Sequence, residues 1–334
     1  MIRRMYARAT ARYPLLQIVV PLVLLAFIAG SVVLAWRTFG FDWTRPDGDP
    51  WNYLAAGERL NAGHPLYELS PGDRPVVIVP PFWTVPLLGP PPIAVFWRPL
   101  AALGESSMLL WGIAGMVGVV GSAVFLARRG AFLIVAILAI DLTLTVLSGN
   151  ASGLVLPMLI AAWALRDRPW IVGSLVAVAG AVKVLPLVLG IWLLVTGRRR
   201  AIAAALAVSL AIFVVSIAGA GPASFADWLQ AATSAAPSPK SLAAWTGLPN
   251  WLIVVAFAVP IVLFGRRDRL SFGAAIVATA FATPAYYFSA SVLLAALPVW
   301  HDKRPRGEVS SPGTPDPRWV RSPQEPALPT GLSR

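Results

Sequence analysis

Asp47 and Asp49 stand close together in the stretch Arg45–Leu69, RPDGDPWNYLAAGERLNAGHPLYEL. Trp51, Asn52 and Tyr53 follow at once, and Gly63-His64-Pro65 breaks the pattern. Two kinds of work suit such carboxylates. Asp-Gly and Asp-Pro favour turns and caps. A carboxylate near a membrane surface can also serve as a general base that takes a proton from an acceptor hydroxyl. If the chain does chemistry, this stretch is where it is expected.

Other polar residues stand out because their surroundings are apolar. Lys183 lies inside an apolar run, where an ionisable group is costly and points to function. Read that way it is a cation for a lipid-linked phosphate; the alternative is a lysine that snorkels to the interface. Asp141 has a similar setting and is expected to face a neighbouring helix. Asn150 follows Gly149 at a turn, as a cap or as a ligand. Arg45, Arg59, Arg74 and Arg98 fall in the same loop as Asp49, and arginine suits bidentate phosphate contacts; Arg98 is the candidate, beside a reading of these arginines as simply solvated. Trp51, Asn52, Tyr53, His64, Tyr67, Asn150, Tyr286 and Tyr287 are candidate substrate-lining residues. Asp-Gly-Asp also has the form of a metal-binding D-x-D pair, a short and unspecific signal. With no cysteine and only His64 and His301 as histidines, no metal site or cofactor is expected.

The elements that must position these residues are membrane segments. Of 334 residues, 57% are hydrophobic and 13% charged, against about 25% charged in soluble domains. Several apolar runs approach the roughly 20 residues that span a bilayer. The net charge of +12 sits in short clusters between apolar runs, the pattern that orients membrane proteins, and does not point to nucleic acid. Residues 1–14 form a basic, cytoplasmic N-terminus. The run from Leu15 to Trp36 exceeds the ~7–15 residues of a signal h-region and reads as an uncleaved anchor. The loop 37–105 then lies outside. It holds Asp42, Asp47, Asp49, Glu58, Glu68, Asp73 and Glu105, seven of the fifteen acidic residues.

Within that loop Pro50–Leu60 is expected to be helical, with Asp49 as N-cap and Pro50 at the first helical position. Trp51 and Tyr53 are placed at headgroup level. The stretch 75–103 carries too many prolines for one regular spanning helix and is read as re-entrant or interfacial structure walling a site. Spans follow at 107–127, 132–147 and 154–165. The run 170–196 has basic residues at both ends and is read as two short segments meeting near Lys183, with Pro186 opening the second. After 201–218 comes an outer loop at 219–249. A span at 251–264 and a second split pair over 272–300, turning at Thr283–Tyr287, complete about ten segments of hydrophobic length. Residues 301–334 are proline-rich and charged and read as a disordered cytoplasmic tail.

In this order, several stretches resemble glycosyltransferase family 87, the polyprenyl-phosphate-sugar-dependent membrane mannosyltransferases of GT-C architecture. Asp49-Pro-Trp-Asn-Tyr53-Leu-Ala-Ala56 with Gly63-His-Pro-Leu-Tyr67 is similar to the family's D-x-x-x-Y-x-A-A … G-x-P-Y loop. Pro91-Pro92 through Pro99-Leu-Ala is similar to its Y-P-P … P-L-A segment, with Pro90 in place of the tyrosine; Val79-Pro80-Pro81 competes for the same alignment. Gly149-Asn150, the Gly173–Pro186 element with Lys183, and Thr283-Pro284 match later motifs. The likeness covers roughly residues 15–300.

The resemblance implies an all-α, GT-C-like helical bundle over 15–300 with a large first extracytoplasmic loop. It implies a polyprenyl-phosphate sugar donor, a glycolipid or glycan acceptor, and mannose as the default sugar. The setting would be the plasma membrane of a bacterium, which the alanine-, arginine- and proline-rich composition fits. Asp49 would be the base, with Asp47 next in line, and displacement at the anomeric carbon would invert configuration. Lys183 and Arg98 would hold the donor phosphate, and no metal is needed where such cations stabilise the leaving group. One departure is plain: after the late Thr-Pro turn family members often carry Trp and His, and here the chain reads Ala285-Tyr-Tyr-Phe-Ser289. A transporter or flippase for a lipid-linked sugar, built on the same split helices, and a non-catalytic partner that keeps the fold are the competing readings.

Overall fold

The structure, a computed structural model, describes residues 15–40, 42–44, 46, 48–78, 85–283 and 288–301. Arg45, Asp47, the turn residues Pro284–Tyr287 with Tyr286 and Tyr287, the basic N-terminus and the tail expected after residue 301 lie outside the described residues.

The described residues are helical, with no strand among them. In chain order the α-helices are α1 Leu16–Phe39, α2 Asp49–Asn61, α3 Pro91–Ala101, α4 Ser106–Arg128, α5 Phe132–Ile137, α6 Ala139–Leu147, α7 Ser152–Ala164, α8 Pro169–Val182, α9 Leu189–Val195, α10 Arg199–Ala220, α11 Ala223–Ser234, α12 Leu242–Thr246, α13 Asn250–Phe264, α14 Asp268–Phe281 and α15 Phe288–Ser291. Tighter 3₁₀ segments cover Leu185–Val188 and Val292–His301.

Among the described residues, three helices are long and apolar enough to cross a membrane: Val19–Arg37 within α1, α4 and α10. Four shorter apolar helices, Ser152–Ala164, Pro169–Val182, Leu185–Val195 and Asn250–Phe264, stand beside them. The expected break in the run 170–196 is present. Lys183 leaves the helix with extended backbone (φ −140°, ψ 128°) directly after α8, and Pro186 sits in the first turn of the 3₁₀ segment that follows. The run 132–147 is not one helix as expected. It divides at Leu138 into α5 and α6, and no proline or glycine marks the division. As expected, the proline-rich stretch 75–103 is not one spanning helix. Its second half is the regular helix α3, because Pro91 and Pro92 occupy its first turn, where their missing N–H groups cost nothing.

Small residues let the helices approach closely, as they do where apolar solvent gives no drive to associate. A Cβ on Gly173 of α8 would collide with the Ala201 carbonyl of α10 and lie 2.7 Å from the Ala204 Cβ. A Cβ on Gly118 of α4 would run into the Gly153 carbonyl of α7.

At the C-terminal end of α7 Trp163, Trp192 and Phe272 cluster, with Trp163 and Phe272 centroids 4.8 Å apart. Asp268 closes that end, accepting from Trp192 Nε1 at 2.8 Å and from Arg198 Nη2 at 2.9 Å. Arg166 stacks on Trp163 at 4.5 Å. Arg166 and Arg198, far apart in sequence, therefore meet on one side. The loop that carries α2 and α3 packs near the opposite, N-terminal end of α7 and has its own core, including Tyr53, Leu54, Trp97, Trp111 and Ala151.

Gly173→Ala should lower the thermal midpoint of the purified protein by the equivalent of about 1–3 kcal/mol of overpacking. Gly190→Ala, whose Cβ would meet nothing within 4 Å, should leave the midpoint unchanged or slightly raised. Intrinsic tryptophan fluorescence during heating reads both.

Candidate active site

α2 begins where Gly48, in extended conformation, gives way to Asp49 and Pro50. Asp49 is thus the first helical residue and not the N-cap expected, and its side chain is free to reach away from its own helix. It reaches Asn150, whose Nδ2 donates to Asp49 Oδ2 at 2.7 Å. The Ala151 backbone N–H also donates to this carboxylate, and the Tyr53 hydroxyl lies 3.4 Å from Oδ2.

Asn150 is held from its other side. Its Oδ1 accepts from Lys183 Nζ at 3.0 Å and from the Ser152 backbone N–H at 2.9 Å. Lys183 Nζ also donates to Ser152 Oγ at 2.8 Å. One carboxamide therefore stands between an aspartate and a lysine, donating to the first and accepting from the second. Only one orientation of the amide satisfies both.

The turn that presents Asn150 depends on Gly149. Its φ is 61°, a left-handed conformation that glycine adopts without penalty. A Cβ here would also strike Pro50 Cγ, so glycine lets the start of α2 rest on the turn. The Trp111 indole donates to the Gly149 carbonyl at 2.8 Å, and Trp43 Nε1 donates to the Val146 carbonyl at 2.7 Å. Two tryptophans from separate segments fix the place where Asp49 meets Asn150.

Burial raises the pKa of Asp49 above the ordinary carboxylate value; the Lys183 charge, the Ala151 N–H and the Tyr53 hydroxyl pull in the other direction. The residue is only partly covered. A carboxylate with a raised pKa, fixed by donors yet reachable, is suited to accept a proton from a hydroxyl.

The remaining candidates fall in different places. Tyr53 is buried at 9% exposure, with its ring 5.5 Å from Trp111 and 5.9 Å from Trp97. Trp51 donates to the Pro75 carbonyl at 2.7 Å and lies under the Arg74 guanidinium. His64 Nδ1 pairs with Asp73 Oδ1 at 2.7 Å, and Tyr67 donates to the Gly89 carbonyl at 2.8 Å. Asn52 is buried. Arg98 holds Asn61 Oδ1 at 3.0 Å and the Gly219 carbonyl at 2.7 Å, which ties α3 to α2 and α10. Asp141 accepts from Ser291 Oγ of α15 at 2.8 Å, so it does face a neighbouring helix. Ser152 was not singled out in the sequence; its position two residues after Asn150 gives no signal of its own. Arg59 is another departure, because it is buried and not solvated.

The sequence profile of glycosyltransferase family 87 matches residues 87–297. The match contains Asn150 and Lys183, and Asp49 lies ahead of it. No curated protein and no solved structure matches the chain. With more than half of its length matched, the chain belongs to glycosyltransferase family 87, whose members are polyprenyl-phosphate-mannose-dependent enzymes of GT-C type.

Proposed function

We propose that this membrane glycosyltransferase moves a hexose, mannose by the family's habit, from a polyprenyl-phosphate donor to a glycolipid or cell-envelope glycan at the extracytoplasmic face. The observation that carries the reading is the Asp49–Asn150–Lys183 arrangement. Asp49 takes the proton of the acceptor hydroxyl as its oxygen attacks the anomeric carbon. The bond from that carbon to the phosphate oxygen breaks, and polyprenyl phosphate leaves with the electron pair. Attack opposite the leaving group inverts the configuration.

In this scheme Asn150 positions the base, and Lys183 keeps Asp49 ionised despite its burial. The basic residues support the sidedness: Arg166 and Arg198 gather around Asp268 at the end of α7 away from Asn150 and Asp49, which fits a cytoplasmic face there.

Asp49→Asn should cut transfer of radiolabelled mannose from polyprenyl-phosphate-mannose by roughly 10²–10⁴-fold, the usual worth of a general base, at equal protein level in membranes. Transfer that survives the change moves the base elsewhere, with Asp47 as the next variant. Movement of lipid-linked sugar across vesicles without transfer would favour a transporter.

The pH profile gives a second check. Asp49 acts ionised, so activity should rise through an acid limb set by its raised pKa. Lys183→Met removes a charge that holds this pKa down, and the limb should move to higher pH. A limb that stays in place, or moves to lower pH, would separate Lys183 from the base.

A further inference from the structure

Arg59, in the last turns of α2, has no part in the scheme above. It is 1% exposed, and none of Nε, Nη1 and Nη2 has a hydrogen-bond partner among the described residues. The charges of Asp73 and Glu58 favour the guanidinium from nearby, but the hydrogen bonds of both carboxylates go elsewhere. Glu58 holds Arg74 through two bonds of 2.7 and 2.8 Å. Asp73 accepts from the Ser70 N–H at 2.7 Å and pairs with His64 at 2.7 Å. Five guanidinium N–H donors buried without an acceptor are costly even beside opposite charge, since buried charges are normally hydrogen-bonded as well as paired.

A second group shares its situation. Asn52 is 3% exposed, and its Oδ1 accepts no hydrogen bond from the described residues. The step from Asn52 to Arg59 is close to two helical turns, so both project from one side of α2. Their Cα atoms are roughly 10 Å apart on that geometry, and a long helical side chain leans toward the N-terminus. Asp49 stands about one turn before Asn52.

We propose that Arg59 and Asn52 form a buried subsite for a phosphate ester, with the guanidinium taking the phosphate oxygens and the Asn52 carbonyl oxygen accepting from a sugar hydroxyl. The fork of arginine matches phosphate oxygens pairwise. The subsite lies along the same helix as the base. The source of the phosphate, donor or acceptor lipid, rests on the glycosyl-transfer reading; the anion site itself does not.

The test uses the full chain in phosphatidylcholine nanodiscs, with farnesyl phosphate and phosphatidylglycerol as probes and farnesol as the neutral control. Arg59→Gln should weaken farnesyl phosphate binding roughly 10- to 100-fold, the worth of hydrogen bonds to a charged group, and leave farnesol unaffected. Arg59→Lys keeps the charge without the fork and should weaken binding less than Arg59→Gln does, though measurably. In the wild type, farnesyl phosphate should slow hydrogen exchange over residues 52–75. The same dependence seen only with phosphatidylglycerol would keep the site and assign its phosphate to the acceptor. Equal affinity of wild type and both variants for both phosphates overturns the proposal, as does protection confined to other segments. If Arg59→Gln does not fold, Arg59→Lys and the exchange footprint decide. Arg59-dependent binding in a protein that transfers no sugar would sink the transfer reading and leave this site standing.

Discussion

One carboxamide stands between the charged groups of the loop and of the bundle. Asn150 donates to Asp49 of the loop and accepts from Lys183 of the bundle. An isolated carboxylate or ammonium in these surroundings would be costly. With the amide between them each has a partner, and neither collapses into a direct ion pair that would occupy the carboxylate. Remove the amide and Asp49 keeps the Ala151 N–H and the Tyr53 hydroxyl but loses its 2.7 Å side-chain donor from the bundle.

The scaffold makes that contact possible through backbone devices. Gly149 supplies the left-handed turn and the space for Pro50. The Trp111 indole holds the turn by its carbonyl. Lys183 reaches the site because α8 ends just before that residue, so its side chain issues from extended chain. Together these features bring an aspartate that begins a loop helix within one carboxamide of a lysine that follows a short apolar helix.

The loop is a small folded body, not a strap over the bundle. Its aromatic core of Tyr53, Trp97 and Trp111 packs α2 against α3 and α4. The chain after α2 folds back on it through Glu58–Arg74 and Trp51–Pro75. Such packing suits the base proposed above, which must be held in place while a hydroxyl approaches. Tyr53 is buried in that core, where aromatic pairs add to the burial of the ring itself.

Much was legible in the sequence because membrane proteins write their constraints in composition. Apolar runs and basic clusters point to the helical class, and basic residues at both ends of the run 170–196 require a break within it, near Lys183. Asp49, Asn150 and Lys183 each stood out by type. Their meeting did not, since residues 101 and 33 positions apart are joined only by the packing of α2, α7 and α8. Burial was equally hidden: Arg59 reads like any loop arginine until the chain folds over it. The division at Leu138 carries no sequence mark at all. Local chemistry names the groups that can act, and long-range packing decides which of them touch and which are cut off from water.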